Sequence, residues 1–388
     1  MLTRRMTSRE RVTAALNHLE PDRVPLGIWM TIWAYKNLRK HLGMPVREEY
    51  PPGSTTWSMD VHVEQDVVER LGLDVIRIGS STPSGCGFQE TAGGLFVDEW
   101  NIARRRVEYD GGYYMEIEDP PLKDATVADL EDYPWPDPAA DGCWDGLEEK
   151  AKRLYRETDL AILAQFGRGG IYEQAKYLRG HEQILMDMML NPEFVYALFD
   201  KLCRIEIRFN QIGIKLIGKY LTQVRLSPED LGTMDNLQVS PKTFRELILP
   251  YYRRSFGEAR QLLAQENPEA KLQFHTCGAV YPIIEDLIEA GMQVMDPLQP
   301  IARGMEPARL KADFGERLSW WGGIDVQNTL PFGTQEEVAQ EVRTRIGEMA
   351  PGGGYILSSS HRLQPDIPVA NILAMYETAR ECGIYSRD

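Results

Sequence analysis

The chain has 388 residues, 43% of them hydrophobic, which is ample for a large core. A formal net charge of −15 sets its surface against a phosphate backbone or an anionic membrane, so nucleic-acid and membrane binding are not expected. Its five cysteines, Cys86, Cys143, Cys203, Cys277 and Cys382, are scattered and odd in number, which argues against a disulfide framework and for a reducing cytoplasm.

At the N-terminus, "MLTRRMTSRERVTAALNHLEPDRVP" has no apolar signal core, and no later run is long and apolar enough to span a bilayer. Thr7 to Glu10 reads as a capping box that opens an amphipathic helix. Strand-like apolar runs then recur at residues 24–30, 73–79, 159–166, 220–227, 271–277, 292–297, 318–324 and 353–359. Helical patterns such as "PEFVYALFDKLCRIEIRFNQIGIK" and "TQEEVAQEVRTRIGEM" lie between them, with apolar residues spaced at three and four. Strand–helix alternation implies a parallel sheet, and eight strands predict an α/β fold of (β/α)8 TIM-barrel type with an N-terminal helical extension, one domain over residues 1–388.

Residues 93–122 break the alternation. They run with period two between Gly-Gly pairs and predict an antiparallel hairpin inserted after the second strand. The basic run "RRRVEYD" at 104–110 reads as its solvated edge.

In a barrel, chemistry gathers where strands end at the C-terminal rim. His275 and Cys277 end the fifth run, two residues apart, so a strand would present imidazole and thiol on one face. Both are good zinc ligands, and both are equally at home as ordinary buried side chains. Asp296 ends the sixth run, Asp325 follows the seventh, and "SSSH" brings His361 to the end of the eighth. Asp230 lies past the fourth, and Arg168 with Gly169 and Gly170 past the third. Each has a structural alternative: a turn former for Asp296, a helix cap for Asp325, a loop hydrogen bond for His361.

The stretches "TSRERVTAALNHLEPDRVP", "GIYEQAKYLRGHEQILMDMMLNPEF", "PEDLGTMDNLQVSPKTFRELILPYY", "FHTCGAVYPIIEDLIEAGMQVMDPLQP", "WWGGIDVQNTLPFGTQEEV" and "PGGGYILSSSHRLQPDIPVANILAMYE" resemble the uroporphyrinogen decarboxylase superfamily over nearly the whole chain, most strongly over 160–380. The resemblance implies a (β/α)8 barrel. It also separates two branches. The decarboxylases carry an arginine-rich stretch after the first strand that holds substrate carboxylates; here the place reads "GIWMTIWAYKNLRK", with Trp29, Met30, Trp33 and Tyr35. The cobalamin-linked methyltransferases carry His-x-Cys-Gly, here His275-Thr276-Cys277-Gly278, and in them the pair binds zinc with a third ligand from the last strand's end. That ligand is often cysteine; here the matching residue is His361, and zinc accepts either.

The resemblance therefore implies a zinc-dependent methyltransferase acting with a corrinoid. The usual corrinoid signature, Asp-x-His-x-x-Gly, has its nearest match at Asp60 to Gln65, where Gln65 replaces the glycine. The corrinoid is thus expected on a separate partner protein. The expected substrate is a small methylated compound, an aryl methyl ether being the reading suggested by the aromatic and Met-rich first loop. Asp230 in "EDLGTM" matches an acidic position of the family's active-site region and is the expected catalytic residue. Met30, Trp33, Arg168, Tyr172 and Asp325 are expected to contact substrate; Cys86, in a glycine turn, is given no role. Two other readings stand beside this one: a metal-free decarboxylase of uroporphyrinogen-like substrates, and a non-catalytic barrel that binds a ligand or a corrinoid protein.

Overall fold

The computed structural model describes residues 5–46, 54, 58–82, 89–91, 93–109, 111–167 and 169–385. Eleven strands occur among them: β1 Val75–Gly79, β2 Gln89–Glu90, β3 Leu95–Val97, β4 Ala103–Tyr109, β5 Gly112–Asp119, β6 Ala161–Gln165, β7 Gln223–Arg225, β8 Lys271–His275, β9 Val294–Leu298, β10 Ser319–Ile324 and β11 Tyr355–Ser359. Seven form one parallel sheet in the order β1-β6-β7-β8-β9-β10-β11. Consecutive parallel neighbours joined through helices give the curled sheet of a TIM-barrel-like fold.

Seven of the eight expected strands fall within two or three residues of their expected bounds. The exception is residues 24–30, which form only isolated bridges, from Leu26 to Leu357 and from Met30 to Leu363. The segment still lies between the two sheet edges. Gly27 N donates to Leu357 O and Asp74 N to Leu26 O, both at 2.9 Å. A regular ladder fails for local reasons. Pro25 has no N–H, and the Leu26 N–H is taken at 2.8 Å by the Asp74 carboxylate rather than by a neighbouring backbone carbonyl.

The insertion after β1 is larger than a hairpin: β2, β3, β4 and β5 make a four-stranded antiparallel sheet in sequence order. Strand β4 is flanked on both sides only over Ala103–Arg105; from Arg106 to Tyr109 it pairs with β5 alone, so the later part of the basic run is the expected solvated edge. Strand alternation sends Arg104 inward, buried against Asp98 at 3.1 Å, while Arg105 pairs with Glu118 outside.

The expected capping box is present: the Thr7 side chain accepts from Glu10 N and the Glu10 carboxylate from Thr7 N, opening helix Ser8–Leu16. The two quoted helical patterns become helices Pro192–Ile217 and Gln335–Met349. Among the described residues, no helix is long and apolar enough to cross a membrane.

Candidate metal centre

His275 is the last residue of β8, buried at 2% exposure. Cys277 follows on the same side, as the spacing predicts, and its Sγ stands 3.4 Å from His275 Nε2. The turn beyond them needs glycine. Gly278 has φ +88°, and a Cβ there would lie 2.5 Å from the Gly232 and Thr233 backbone. His361 arrives two residues past β11. The donor atoms of His275, Cys277 and His361 all lie within 4.8 Å of one another, the sole such grouping of three or more metal-ligating side chains among the described residues.

This donor set fits zinc. A tetrahedral zinc bonds N at about 2.0–2.1 Å and S at about 2.3 Å, which separates two such donors by roughly 3.5 Å. The Cys277–His275 distance matches that spacing, and two imidazoles with one thiol leave a coordination position open.

The surroundings orient the ligands. Arg225, ending β7, lies 2.8 Å from His275 Nδ1 through Nη2 and 2.9 Å from Asp296 through Nε. Asp296 Oδ2 is 3.5 Å from the same His275 Nδ1. Arg225 can only donate, so its contact makes Nδ1 the acceptor in this arrangement. Ligation of a metal through Nε2 would need the proton on Nδ1, with Asp296 as its acceptor. Trp29 is wedged between the histidines, with ring centroids 5.1 Å from His275 and 4.9 Å from His361.

Electrostatics follow burial and these neighbours. Burial, helped by Arg362 and His275, pushes His361 down to about 3, so its imidazole is neutral and able to ligate. Burial, together with Asp230 and Asp296, pushes the Cys277 thiol up. Burial opposes charge on Asp296, yet Arg225 and His275 overcome it and hold the carboxyl at about 2. Asp230 is likewise drawn down against burial, by His275 and then His361, and its Oδ1 lies 3.6 Å from His275 Nε2.

These groups surround a cavity of about 100 Å³ lined by Trp29, Asp230, His275 and His361, with Arg77, Arg225 and Arg362 among its other walls. Asp230, the expected catalytic residue, is therefore at the centre. The expected substrate contacts fare differently. Met30 is fully buried in the core, one residue out of phase with Trp29. Trp33 packs edge-on against Tyr113 of the inserted sheet at 5.2 Å, away from the cavity. Tyr172 is buried, and its hydroxyl donates to Gln238 at 3.1 Å. Asp325 accepts from the backbone N–H groups of Gln327 and Asn328, which makes a turn ahead of helix Thr329–Phe332, whose N-cap is Asn328. Arg168 and Cys86 lie outside the described residues.

Sequence reasoning missed Trp29, Arg77, Arg225 and Arg362. The signal was present for two of them: Arg77 in "LDVIRIG" and Arg225 in "YLTQVRLS" are charges inside strands, which only a polar barrel interior accommodates. Glu229 was missed as well. It accepts from the N–H groups of Ile171, Tyr172 and Glu173, capping helix Tyr172–Arg179, and a Cβ on Gly170 would sit 2.6 Å from its carboxylate. A glycine stands at 170 because this carboxylate needs the space.

Among solved structures, the chain is similar to a methyltransferase from Methanosarcina mazei, with a TM-score of 0.63 and 17% identity, covering 97% of this chain and 99% of that one. Among curated proteins, it is 24% identical over 144 residues to the uroporphyrinogen decarboxylase of Nostoc punctiforme, and 25% over 150 residues to that of Trichormus variabilis. Those matches span 37% and 38% of this chain and 37% and 39% of the relatives' length. The model of the uroporphyrinogen decarboxylase (URO-D) family matches residues 106–382, more than half of the sequence, and the chain belongs to that family.

Proposed function

We propose that the protein is a zinc-dependent methyltransferase that moves a methyl group between a small methylated substrate and a separate corrinoid protein. The observation that carries the reading is the convergence of the His275, Cys277 and His361 donor atoms, from two strand ends, to within 4.8 Å of one another, beside a cavity that the two histidines line. The Methanosarcina mazei protein, similar along nearly its whole length, is itself named a methyltransferase.

Zinc held by these three residues would supply Lewis acidity toward an ether or alcohol oxygen, or toward a thiol. The chain's own residues do the rest. Asp296 and Arg225 flank the His275 ring, and Trp29 packs against both imidazoles. Asp230 places an ionised carboxylate at the cavity, where it can accept a hydrogen bond from a protonated substrate heteroatom. A reduced corrinoid on a partner protein would supply the nucleophile that takes the methyl group, and the departing oxygen would keep its electron pair and take up a proton from solvent.

A decarboxylase reading draws on the curated relatives and on the arginines of the cavity. Against it, Arg225 and Arg362 are already engaged by Asp296 and Asp60, and about 100 Å³ is small for a polycarboxylated tetrapyrrole. The discriminating experiment mixes the purified protein with a reduced corrinoid protein and a methyl donor. Methyl-Co(III) should form, visible in the corrinoid absorption spectrum, and chelation of zinc should abolish it. Carbon dioxide release from a carboxylated substrate by the chain alone, indifferent to chelator, would overturn this reading and restore the decarboxylase.

A further inference from the structure

The cavity beside the metal centre is small. Roughly 30 Å³ is one water's share of liquid volume, so about 100 Å³ admits only a few heavy atoms, and the groups on its walls share them. Trp29 Nε1 and Arg362 Nε, on those walls, are buried N–H donors without a hydrogen-bond partner. The cavity's other arginines are engaged: Arg77 donates to Gln165, and Arg225 binds Asp296.

Neither donor is loosely held. Arg362 Nη1 donates to Ser58 O at 2.6 Å and to Asp60 Oδ1 at 3.1 Å, which orients the guanidinium. The Trp29 ring packs against the imidazoles of His275 and His361, with the Arg225 guanidinium 4.8 Å and that of Arg362 5.9 Å from its centre. Donors already desolvated and oriented act on charge as it develops, with no reorganisation at the moment of reaction.

We propose that Trp29 Nε1 and Arg362 Nε are a donor pair for the departing oxygen, and that they make the site select oxygen over sulfur. This rests on the methyl-transfer reading, which leaves that choice open, and adds the two residues that make it. Lone pairs give the reason. An ether oxygen has two. With one directed at the metal centre, the other can accept from one N–H, and the second N–H stays unmatched. As the methyl group passes to the reduced corrinoid of the partner, the electron pair of the methyl–oxygen bond stays on the oxygen. That third pair meets the second donor until a proton arrives from solvent. The full pair of hydrogen bonds therefore exists only as the bond breaks, which is where binding accelerates a reaction. Sulfur in the same place is a weak acceptor and gains little from either donor.

The test is a fluorine NMR titration of the zinc-loaded full chain with trifluoroethanol and with trifluoroethanethiol, no corrinoid protein being present. Wild type should bind both. Trp29→Phe keeps a ring and removes the N–H. It should weaken the alcohol roughly tenfold or more and the thiol less than about twofold, with zinc content unchanged. Arg362→Lys, which keeps a cation for Asp60 but has no Nε donor, should show the same split. Equal losses for both ligands would make these residues packing groups and overturn the donor pair. An unchanged alcohol affinity, or a wild type that does not bind the alcohol, would overturn it too. If Trp29→Phe fails to fold, Arg362→Lys decides alone. The split appearing in a protein that never methylates a corrinoid would sink the methyl-transfer reading and leave the donor pair standing.

Discussion

Two buried polar clusters sit at opposite ends of the parallel strands, and they are built differently. At the N-terminal end, Asp74 is wholly buried just before β1. It binds Arg11 at 2.6 Å and Arg23 at 2.7 Å, and accepts from Ser8 Oγ and Leu26 N, both at 2.8 Å. Asp22 takes a second face of Arg11 at 2.6 Å. Each carboxylate there is met by the chain itself. At the C-terminal mouth, Trp29 Nε1 and Arg362 Nε are buried without a hydrogen-bond partner, and Asp230 Oδ1 has His275 Nε2 at 3.6 Å. A buried polar group left unpaired costs about 1–3 kcal/mol. Buried side-chain atoms without a hydrogen-bond partner also occur at Gln223 and Ser319, where β7 and β10 begin. The contrast is therefore between the two clusters: the Asp74 network is closed by protein, and the mouth cluster is not.

The contrast breaks most visibly at Asp74. Asp74→Ala leaves Arg23 without its carboxylate and Arg11 with Asp22 alone, and should lower the unfolding free energy by about 3–5 kcal/mol, read by urea denaturation. Zinc per folded chain should not change. A loss below about 1 kcal/mol would mean that the closed network is not what holds that end together.

Asp296→Asn probes the mouth. It keeps the side chain's shape but not the charge that would accept the Nδ1 proton of a His275 ligating through Nε2. Zinc affinity, measured by competition with a chromophoric chelator, should fall roughly 10- to 100-fold. A change under about twofold would move Asp296 from the ligand-orienting groups to the scaffold.

Glu229 sharpens the distinction, because it lies at the mouth but is satisfied by three backbone N–H groups. Glu229→Gln should leave zinc binding intact and cost of order 1 kcal/mol in stability. Burial pushes this carboxyl up to about 8, so its stabilising share is full below about 4.3, its unfolded value, and is lost as pH rises through about 8. The Tm advantage of wild type over the variant should therefore shrink between about pH 5 and 9. A constant difference would show that Glu229 stays ionised throughout.

Much of this was legible in the sequence. Periodicity located the strands of the parallel sheet, because fully buried parallel strands read as continuous apolar runs. His275 and Cys277 were legible because strand spacing alone puts them on one face. His361 needed the barrel, since 86 residues of chain separate it from His275 and only topology brings them together. Residues 24–30 looked like a strand and sit where one belongs, yet a proline and a carboxylate replace the ladder. Met30 in place of Trp29 was an error of phase: in an extended segment one residue's shift exchanges cavity for core. The pairing of Trp29 with Arg362 was not legible, because the two come from opposite ends of the chain, and no local pattern in either records how they meet.

The most direct measurement is metal content. Protein purified without added metal should carry about one zinc per chain, and Cys277→Ala should lose most of it while remaining folded by circular dichroism. A wild-type chain that takes up no zinc even when metal is supplied, or a Cys277→Ala variant that retains full occupancy, would contradict a metal centre at the barrel mouth.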